Sequence, residues 1–331
     1  VGLPDGQTGD PGGVTDDIRC LVTGATGYIG GRLVPSLLDR GHAVRALARN
    51  PDKLDAVPWR DRVEVARGDL GDADSLREAF AGTDVVYYLV HSMGSSSDFV
   101  EEEARSARNV VAAARQAGVK RLVYLGGLHP AGADLSPHLQ SRTDVGEILL
   151  ESAIETVVLQ AGIVIGAGSA SFEMIRHLTN RLPVMTTPKW VHNKIQPIAI
   201  DDALHYLAEA ATAPVPTSRT WDIGGPDVFE YGEAMQVYAE VSGRRRRVMV
   251  VLPWLTPTIA SWWIGLVTPL PGGLARPLVE SLECDAVMAD HDIDDVIAPP
   301  ARGLTGYREA VAKALERGPL PTDPHWAHVG R

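Results

Sequence analysis

Cysteine is nearly missing from this chain: Cys20 and Cys284, far apart, are the only two in 331 residues. That excludes a disulfide scaffold and a thiolate metal centre, so no metal site is indicated, and Cys20 reads as a small buried hydrophobe in an apolar run. Positive charge is short as well. With 31 Lys and Arg against 42 Asp and Glu the formal net charge is -11, which argues against a nucleic-acid partner, because phosphate binding runs on clustered cations. The run Arg244-Arg245-Arg246-Arg247 is the exception and reads as a solvated loop or helix end. An uninterrupted membrane-spanning run is also lacking. Residues 248–275 carry no charge, but Pro253, Pro257, Pro269 and Pro271 divide them, and the longest piece, Thr258–Thr268, is too short to cross a bilayer. Near the start there is neither a basic n-region nor an apolar h-region. Residues 1–17, rich in Gly, Pro and Asp, read as a flexible tail and not a signal peptide, and the expected location is cytoplasmic. There is no initiating Met, which leaves processing, trimming or an unusual start open.

What is present is a 45% hydrophobic chain, able to bury a full core as one large α/β domain or as a domain with a smaller lobe. Its organising stretch is Thr23-Gly24-Ala25-Thr26-Gly27-Tyr28-Ile29-Gly30-Gly31, preceded by the apolar Ile18–Val22 and followed by Arg32–Leu38. The order is strand, glycine turn, helix. A helix start offers unpaired N–H groups and the positive end of the dipole, and glycines let a pyrophosphate approach the backbone there. The spacing Gly24-x-x-Gly27-x-x-Gly30 differs from the common G-x-G-x-x-G. TGATGYIGG resembles the opening of the short-chain dehydrogenase/reductase superfamily, in its extended and atypical branches.

Further on, apolar segments alternate with helical ones. Strands are expected at Ala43–Ala48, Val63–Arg67, Val85–Val90 and Arg121–Leu125, with helices at Ser75–Ala81 and Phe99–Ala117. Alternation of this kind predicts a Rossmann-type doubly wound parallel sheet with right-handed crossovers. Ligands in such sheets bind off the carboxyl ends of the strands, which draws attention to Val90, His91 and the residues Ser92-Met93-Gly94. Beyond the second strand stands Arg49, where an acidic residue would suit an NAD ribose and an arginine a 2′-phosphate. Arg49 favours NADP(H) over NAD(H), while Asp52 close by keeps NAD(H) open.

The resemblance extends over roughly residues 18–245. Gly68-Asp69-Leu70 resembles the element whose Asp meets the adenine amino group. Residues 156–166, TVVLQAGIVIG, resemble the strand and loop beside the nicotinamide, Pro197–Asp202 the PIHVDD element, and Trp221–Pro226 the NVGGP strand end. Together with the turn residues Gly24, Thr26, Gly27, Tyr28, Ile29 and Gly30, the resemblance implies a cofactor set of Asp69, Leu70, Val90, His91, Gly126, Arg142, Gly162 and Ile163.

The catalytic positions depart from the family. Its enzymes use a Ser or Thr after the fifth strand and a Tyr-x-x-x-Lys; here the strand runs into Gly126-Gly127-Leu128-His129, and the counterpart of the pair is His138-Leu139-Gln140-Ser141-Arg142, leading into a helix at Thr143–Glu151. Residues four apart on a helix share a face. Arg142 keeps a charge suited to ribose hydroxyls, and His138, with an ordinary pKa near 6.5, either passes a proton or only binds cofactor or caps the helix. Ser141, His91 and Glu173 are weaker candidates. YYLVHSM, SPHLQSR and GSASFEMIRHL look like a bacterial branch of atypical members, with NmrA-like regulators and the nucleotide-binding accessory subunit of respiratory complex I among its relatives.

The expected division is a tail at 1–17, an NAD(P)-binding domain at 18–245 and an apolar lobe with tail at 246–331. In that lobe Trp254, Trp262 and Trp263 are read as part of a roof over the cleft, suited to a hydrophobic small-molecule substrate, with membrane contact through 248–275 as the lesser reading. Ala286–Ile297 reads as strand-like, and Tyr307–Arg317 as a helix packing back on the domain. Three functions follow: a reductase of hydrophobic carbonyls, a non-catalytic nucleotide-binding sensor or complex-stabilising subunit, and an epimerase or dehydratase with bound NAD. Nothing in the pattern encodes an oligomeric state.

Overall fold

A computed structural model describes residues 18–91, 99–252 and 267–330. The expected readings on residues 1–17, on Ser92-Met93-Gly94 and on Trp254, Trp262 and Trp263 lie outside those residues. The first half runs β1 (Arg19–Val22), α1 (Tyr28–Asp39), β2 (Ala43–Ala48), β3 (Glu64–Arg67), α2 (Ala73–Phe80), β4 (Val85–Tyr88), α3 (Phe99–Ala117), β5 (Arg121–Gly127), α4 (Pro137–Leu150) and β6 (Glu155–Ala161). It continues with β7 (Val164–Ile165), α5 (Ala170–Arg181), β8 (Val184–Thr187), β9 (Lys194–Ile195), β10 (Ile198–Ala199), α6 (Ile200–Glu209), β11 (Arg219–Ile223), β12 (Phe229–Glu230), α7 (Tyr231–Val241), β13 (Val248–Val251), α8 (Gly272–Glu280), α9 (Tyr307–Arg317) and α10 (His325–His328).

Seven parallel strands form the central sheet in the order β11-β6-β5-β4-β1-β2-β3. The order reverses between β1 and β4, and at that switch point a crevice opens at the carboxyl edge. β4 is buried along its whole length, as expected of a strand covered on both faces. One face packs on Leu33, Val34 and Leu37 of α1 and Ala203, Tyr206 and Leu207 of α6. The other packs on Leu76 and Phe80 of α2, Ala107 and Val110 of α3, and Val145 and Leu149 of α4. Each such fully buried leucine or phenylalanine stabilises by roughly 1.5–3 kcal/mol relative to exposure.

A second core stands apart from the sheet. It gathers Phe172 and Ile175 from α5, Tyr231 and Tyr238 from α7, Val279 from α8 and Val311 from α9, so segments before and after β11 share it. Among the described residues no helix is long and apolar enough to cross a membrane.

Two local readings change. The helix read at Thr143–Glu151 begins earlier, at Pro137, because Ser136 caps it by accepting from the Leu139 N–H at 3.3 Å and proline suits the first helical position. His138 and Arg142 are therefore both helical. The strand read at Ala286–Ile297 is a single bridge between Ile195 and Ala286 followed by a short 3-10 turn at Asp292–Asp295. Aspartates here take backbone N–H groups, Asp222 that of Ala289 and Asp290 that of Asp292, which competes with strand pairing. Ile293 and Ile297, four apart, both bury in the first core.

Candidate functional site

The switch point is pinned by Thr23. Fully buried, its Oγ1 donates to the Tyr87 carbonyl at 2.9 Å and accepts from the Leu89 N–H at 3.0 Å, tying the end of β1 to the end of β4. The chain then turns through Gly24, whose φ of +68° is the left-handed region, and a Cβ there would stand 2.7 Å from the Leu89 carbonyl oxygen. At Gly30 a Cβ would stand 2.3 Å from the Gly24 carbonyl oxygen. Both glycines are therefore required by the tightness of the turn.

The α1 N-terminus has no side-chain cap and no acidic residue in its first turn. Gly27 is its N-cap, and the N–H groups of Tyr28, Ile29 and Gly30 lack intrahelical carbonyls. Among the described residues no side chain caps that positive end, which is the condition an exogenous anion needs.

A cleft of about 610 Å³ opens there. The turn residues Gly24, Thr26, Gly27, Tyr28, Ile29 and Gly30 form its floor. Arg49, Asp69 and Leu70 line one end, and Val90, His91 and Arg142 the other. Gly126, Gly162, Ile163 and His138 do not line it. Gly126 is a β5 residue whose Cβ direction faces Gln160 and Tyr124, Gly162 packs against Ala286 and Gln196, and Ile163 belongs to the second core. Asp52 is also absent from the wall; its N–H is held by Asn50 Oδ1 at 3.2 Å.

Arg142 fits a sugar or phosphate. Its Nη2 donates to the Leu125 carbonyl at 2.8 Å, while its Nε is buried without a partner among the described residues. An orphaned guanidinium N–H in a cleft beside the helix terminus suits ribose hydroxyls. At Gly126, which stands in the serine position, a Cβ would meet Gln160 Cγ and Tyr124 Cε1 at an ordinary 3.5 Å; the tighter neighbour is Gly127. A Cβ on Gly127 would stand 2.6 Å from Leu139 Cδ1, so the α4 leucine occupies the space a side chain would need.

His138 does not behave as an ordinary titrating histidine. It is 8% exposed, and its Nε2 lies 3.1 Å from His91 Nε2, the two rings meeting edge to face. Burial first, then the nearby His91 and Arg142, push its pKa down to about 3. His91 is lowered too, by burial and Arg142, against the opposing pull of Glu103. Glu103 of α3, 4% exposed, sits 3.0 Å from His91 Nδ1 and accepts from Ser141 Oγ at 2.5 Å. A carboxylate that accepts from Ser141 and from His91 Nδ1–H leaves His91 Nε2 as acceptor for His138 Nε2–H. At neutral pH His138 is thus a neutral ring whose Nε2–H is directed at His91 Nε2.

Glu103 and Tyr124 were not anticipated. Glu103 follows Glu101 and Glu102 and precedes the buried Ala107 and Val110 by four and seven residues. That helical phase is the signal. Tyr124 lines the cleft and donates from its hydroxyl to the Arg142 carbonyl at 3.0 Å. Of the weaker candidates, Ser141 belongs to the Glu103 network. Glu173 is fully buried elsewhere, paired with Arg176, whose guanidinium also donates to the Val329 and Gly330 carbonyls. It holds the C-terminal segment.

The model of an NAD(P)H-binding family matches residues 24–161. A Mycobacterium tuberculosis protein named 3 beta-hydroxysteroid dehydrogenase/Delta 5-->4-isomerase is 28% identical over 325 residues, covering 86% of this chain and 85% of the relative. Among solved structures, the chain is similar to the Citrobacter triphenylmethane reductase complexed with NADP(H), with TM-score 0.69 and 23% identity over 89% of this chain and 99% of that one. An NADPH-dependent quinone oxidoreductase of Escherichia coli gives TM-score 0.68 and 22% identity over 88% and 98%. At these identities the structural likeness establishes the fold.

Proposed function

We propose that this chain, whose residues 24–161 match the model of an NAD(P)H-binding family, is an NADPH-dependent reductase of hydrophobic carbonyl compounds, of the short-chain dehydrogenase/reductase type. The observation that carries the reading is the cleft at the uncapped start of α1, with Arg49 at one end and Arg142 at the other. The first-turn N–H groups of α1 would hold the diphosphate, Arg142 the nicotinamide ribose, and Asp69 with Leu70 the adenine. Arg49, on the cleft wall just after the end of β2, suits the 2′-phosphate of NADP(H).

When bound, the reduced nicotinamide supplies a hydride to the carbonyl carbon. The chain's own contribution is orientation. Arg142 is anchored by the Leu125 carbonyl, and the Ser141, Glu103, His91 and His138 network fixes two neutral imidazoles. Since His138 Nε2–H is spent on His91, the proton that reaches the product oxygen comes from water. The preference for an apolar substrate is supported by the uncharged 248–275 run and by the steroid named for the mycobacterial relative.

A second reading, a nucleotide-binding protein without turnover, is favoured by one observation: glycines stand where the family places its hydroxyl, and His138 is held neutral. Titration calorimetry with NADPH and NADH, followed by NADPH oxidation across a panel of apolar ketones and enones, separates the two. The reductase reading expects binding with turnover of at least one apolar carbonyl. Binding with no oxidation of NADPH by any of them supports the second reading, and failure to bind either coenzyme removes both. An epimerase or dehydratase shows conversion without net coenzyme consumption.

A further inference from the structure

A second and larger cavity, of about 730 Å³, adjoins the glycine turn. Thr26, Gly27 and Tyr28 line both cavities, so the turn is a shared wall. The other walls come from regions distant in sequence: Trp59 from the segment after β2, Leu204 from α6, Leu274 from α8 and Trp326 from α10. The cavity therefore lies where the sheet's core and the second core meet, a common place for ligand sites. Its size falls in the range that accommodates a small organic molecule.

The lining is largely apolar, with an excess of positive charge. Arg32, Lys53, Lys313 and Arg317 face two carboxylates, Asp201 and Asp323. Arg32 is neutralised by Asp323 at 2.6 Å and Arg317 by Asp201 at 2.9 Å. Lys313 leans at 2.7 Å on Glu309, which does not line the cavity. Lys53 is exposed; its backbone N–H donates to the Asn50 carbonyl at 3.3 Å, and its side-chain amine has neither hydrogen-bond nor ion partner among the described residues. In a chain of net charge -11, an apolar cavity with uncompensated lysine is selective for charge sign. The wall also holds the buried Tyr28 hydroxyl, which abuts Gly166 and has no hydrogen-bond partner among the described residues.

We propose that this cavity is a second ligand site, distinct from the dinucleotide cleft, which takes an amphipathic anion. One carboxylate or phosphate head meets Lys53, and an apolar body lies among Trp59, Leu204, Leu274 and Trp326. Neither the coenzyme nor turnover enters the argument, so this site and the reductase reading stand or fall separately.

Titration calorimetry on the full chain tests it, with dodecanoate, dodecanol and dodecyltrimethylammonium below their micelle concentrations, each with and without NADPH. The expected result is one equivalent of dodecanoate bound in both conditions, at least tenfold more tightly than the cationic analogue. Lys53→Glu weakens dodecanoate at least tenfold, and Leu204→Trp, which fills the cavity, abolishes it. Thermal melting of both variants confirms that they fold, and the surface change at Lys53 carries the test if the core change does not. Equal affinity for both head groups, complete displacement by NADPH, or indifference to both variants overturns the proposal.

Discussion

Trp59 donates its indole N–H to the carbonyl oxygen of Gly31 at 3.1 Å, and the need for that bond arises four residues further along α1, at Pro35. A helical carbonyl normally accepts from the residue four ahead, and proline has no N–H to give. Trp59 supplies the missing donor across the gap between two elements. Trp59→Phe is expected to cost about 1–3 kcal/mol in urea unfolding, because it leaves the Gly31 carbonyl unsatisfied. In a Pro35→Ala background the helix makes its own bond, and the cost of Trp59→Phe falls. A double-mutant cycle returning a coupling near zero would remove this account.

The scaffold was legible for a simple reason. Parallel strands covered on both faces leave continuous apolar runs, so β2 is read at Ala43–Ala48 and found at Ala43–Ala48, and the helix Phe99–Ala117 is found with the same ends. The glycine turn was legible because its spacing is enforced by contacts under 3 Å at Gly24 and Gly30. Less legible were relationships made only in three dimensions. Nothing local tells that Leu139 fills the space over Gly127, or that Glu103 reaches two donors on elements far away in sequence. The pKa of His138 depends on that burial and on a second histidine 47 residues off, which a His-x-x-x-Arg spacing does not encode.

Arg49 is the residue on which coenzyme choice is expected to turn. A charge-assisted contact to a 2′-phosphate contributes about 1.5–3 kcal/mol, so Arg49→Ala should weaken NADPH by roughly 10- to 100-fold. NADH, which lacks the phosphate, should lose little. Calorimetry on both coenzymes reads the difference directly, and a parallel loss for the two would assign Arg49 to some other task.

Gly30→Ala is expected to abolish binding of both coenzymes, since the new methyl group would stand against the Gly24 carbonyl and push the turn away from the α1 terminus. Gly31→Ala serves as the control. Its Cβ would approach the Ala25 carbonyl oxygen only to 3.3 Å, so a small displacement suffices and binding should survive.

Acid stability should report His138. Its pKa moves from an ordinary 6.5 down to about 3 in the folded chain. As pH falls below 6.5 the unfolded chain takes up a proton that the folded chain refuses, so stability declines from about pH 6.5 to about pH 3 and is unaffected by this group above that window. The loss at pH 5 is about 2 kcal/mol from this residue. His138→Gln should flatten the pH profile of urea unfolding. The same variant bears on chemistry. Loss of a general acid typically costs 10²- to 10⁴-fold, whereas a neutral ring that only orients should cost less than about tenfold in kcat, with no shift in the pH–rate profile.

The donors converging on Glu103 fix the tautomers of both histidines. Its carboxylate accepts from Ser141 Oγ and faces His91 Nδ1 at 3.0 Å, so His91 carries its proton on Nδ1, and His138, 3.1 Å from the remaining nitrogen of His91, carries its own on Nε2. Nitrogen-15 shifts of the two rings at pH 7 should therefore show opposite tautomers. Glu103→Ala removes the common acceptor, leaves two buried donors unsatisfied, and is expected to cost about 3–5 kcal/mol. Glu103→Gln, which retains one acceptor oxygen, should cost less than half of that. If the two rings show the same tautomer, or Glu103→Ala unfolds no more easily than Glu103→Gln, the carboxylate does not organise the pair, and the neutral state of His138 must rest on burial alone.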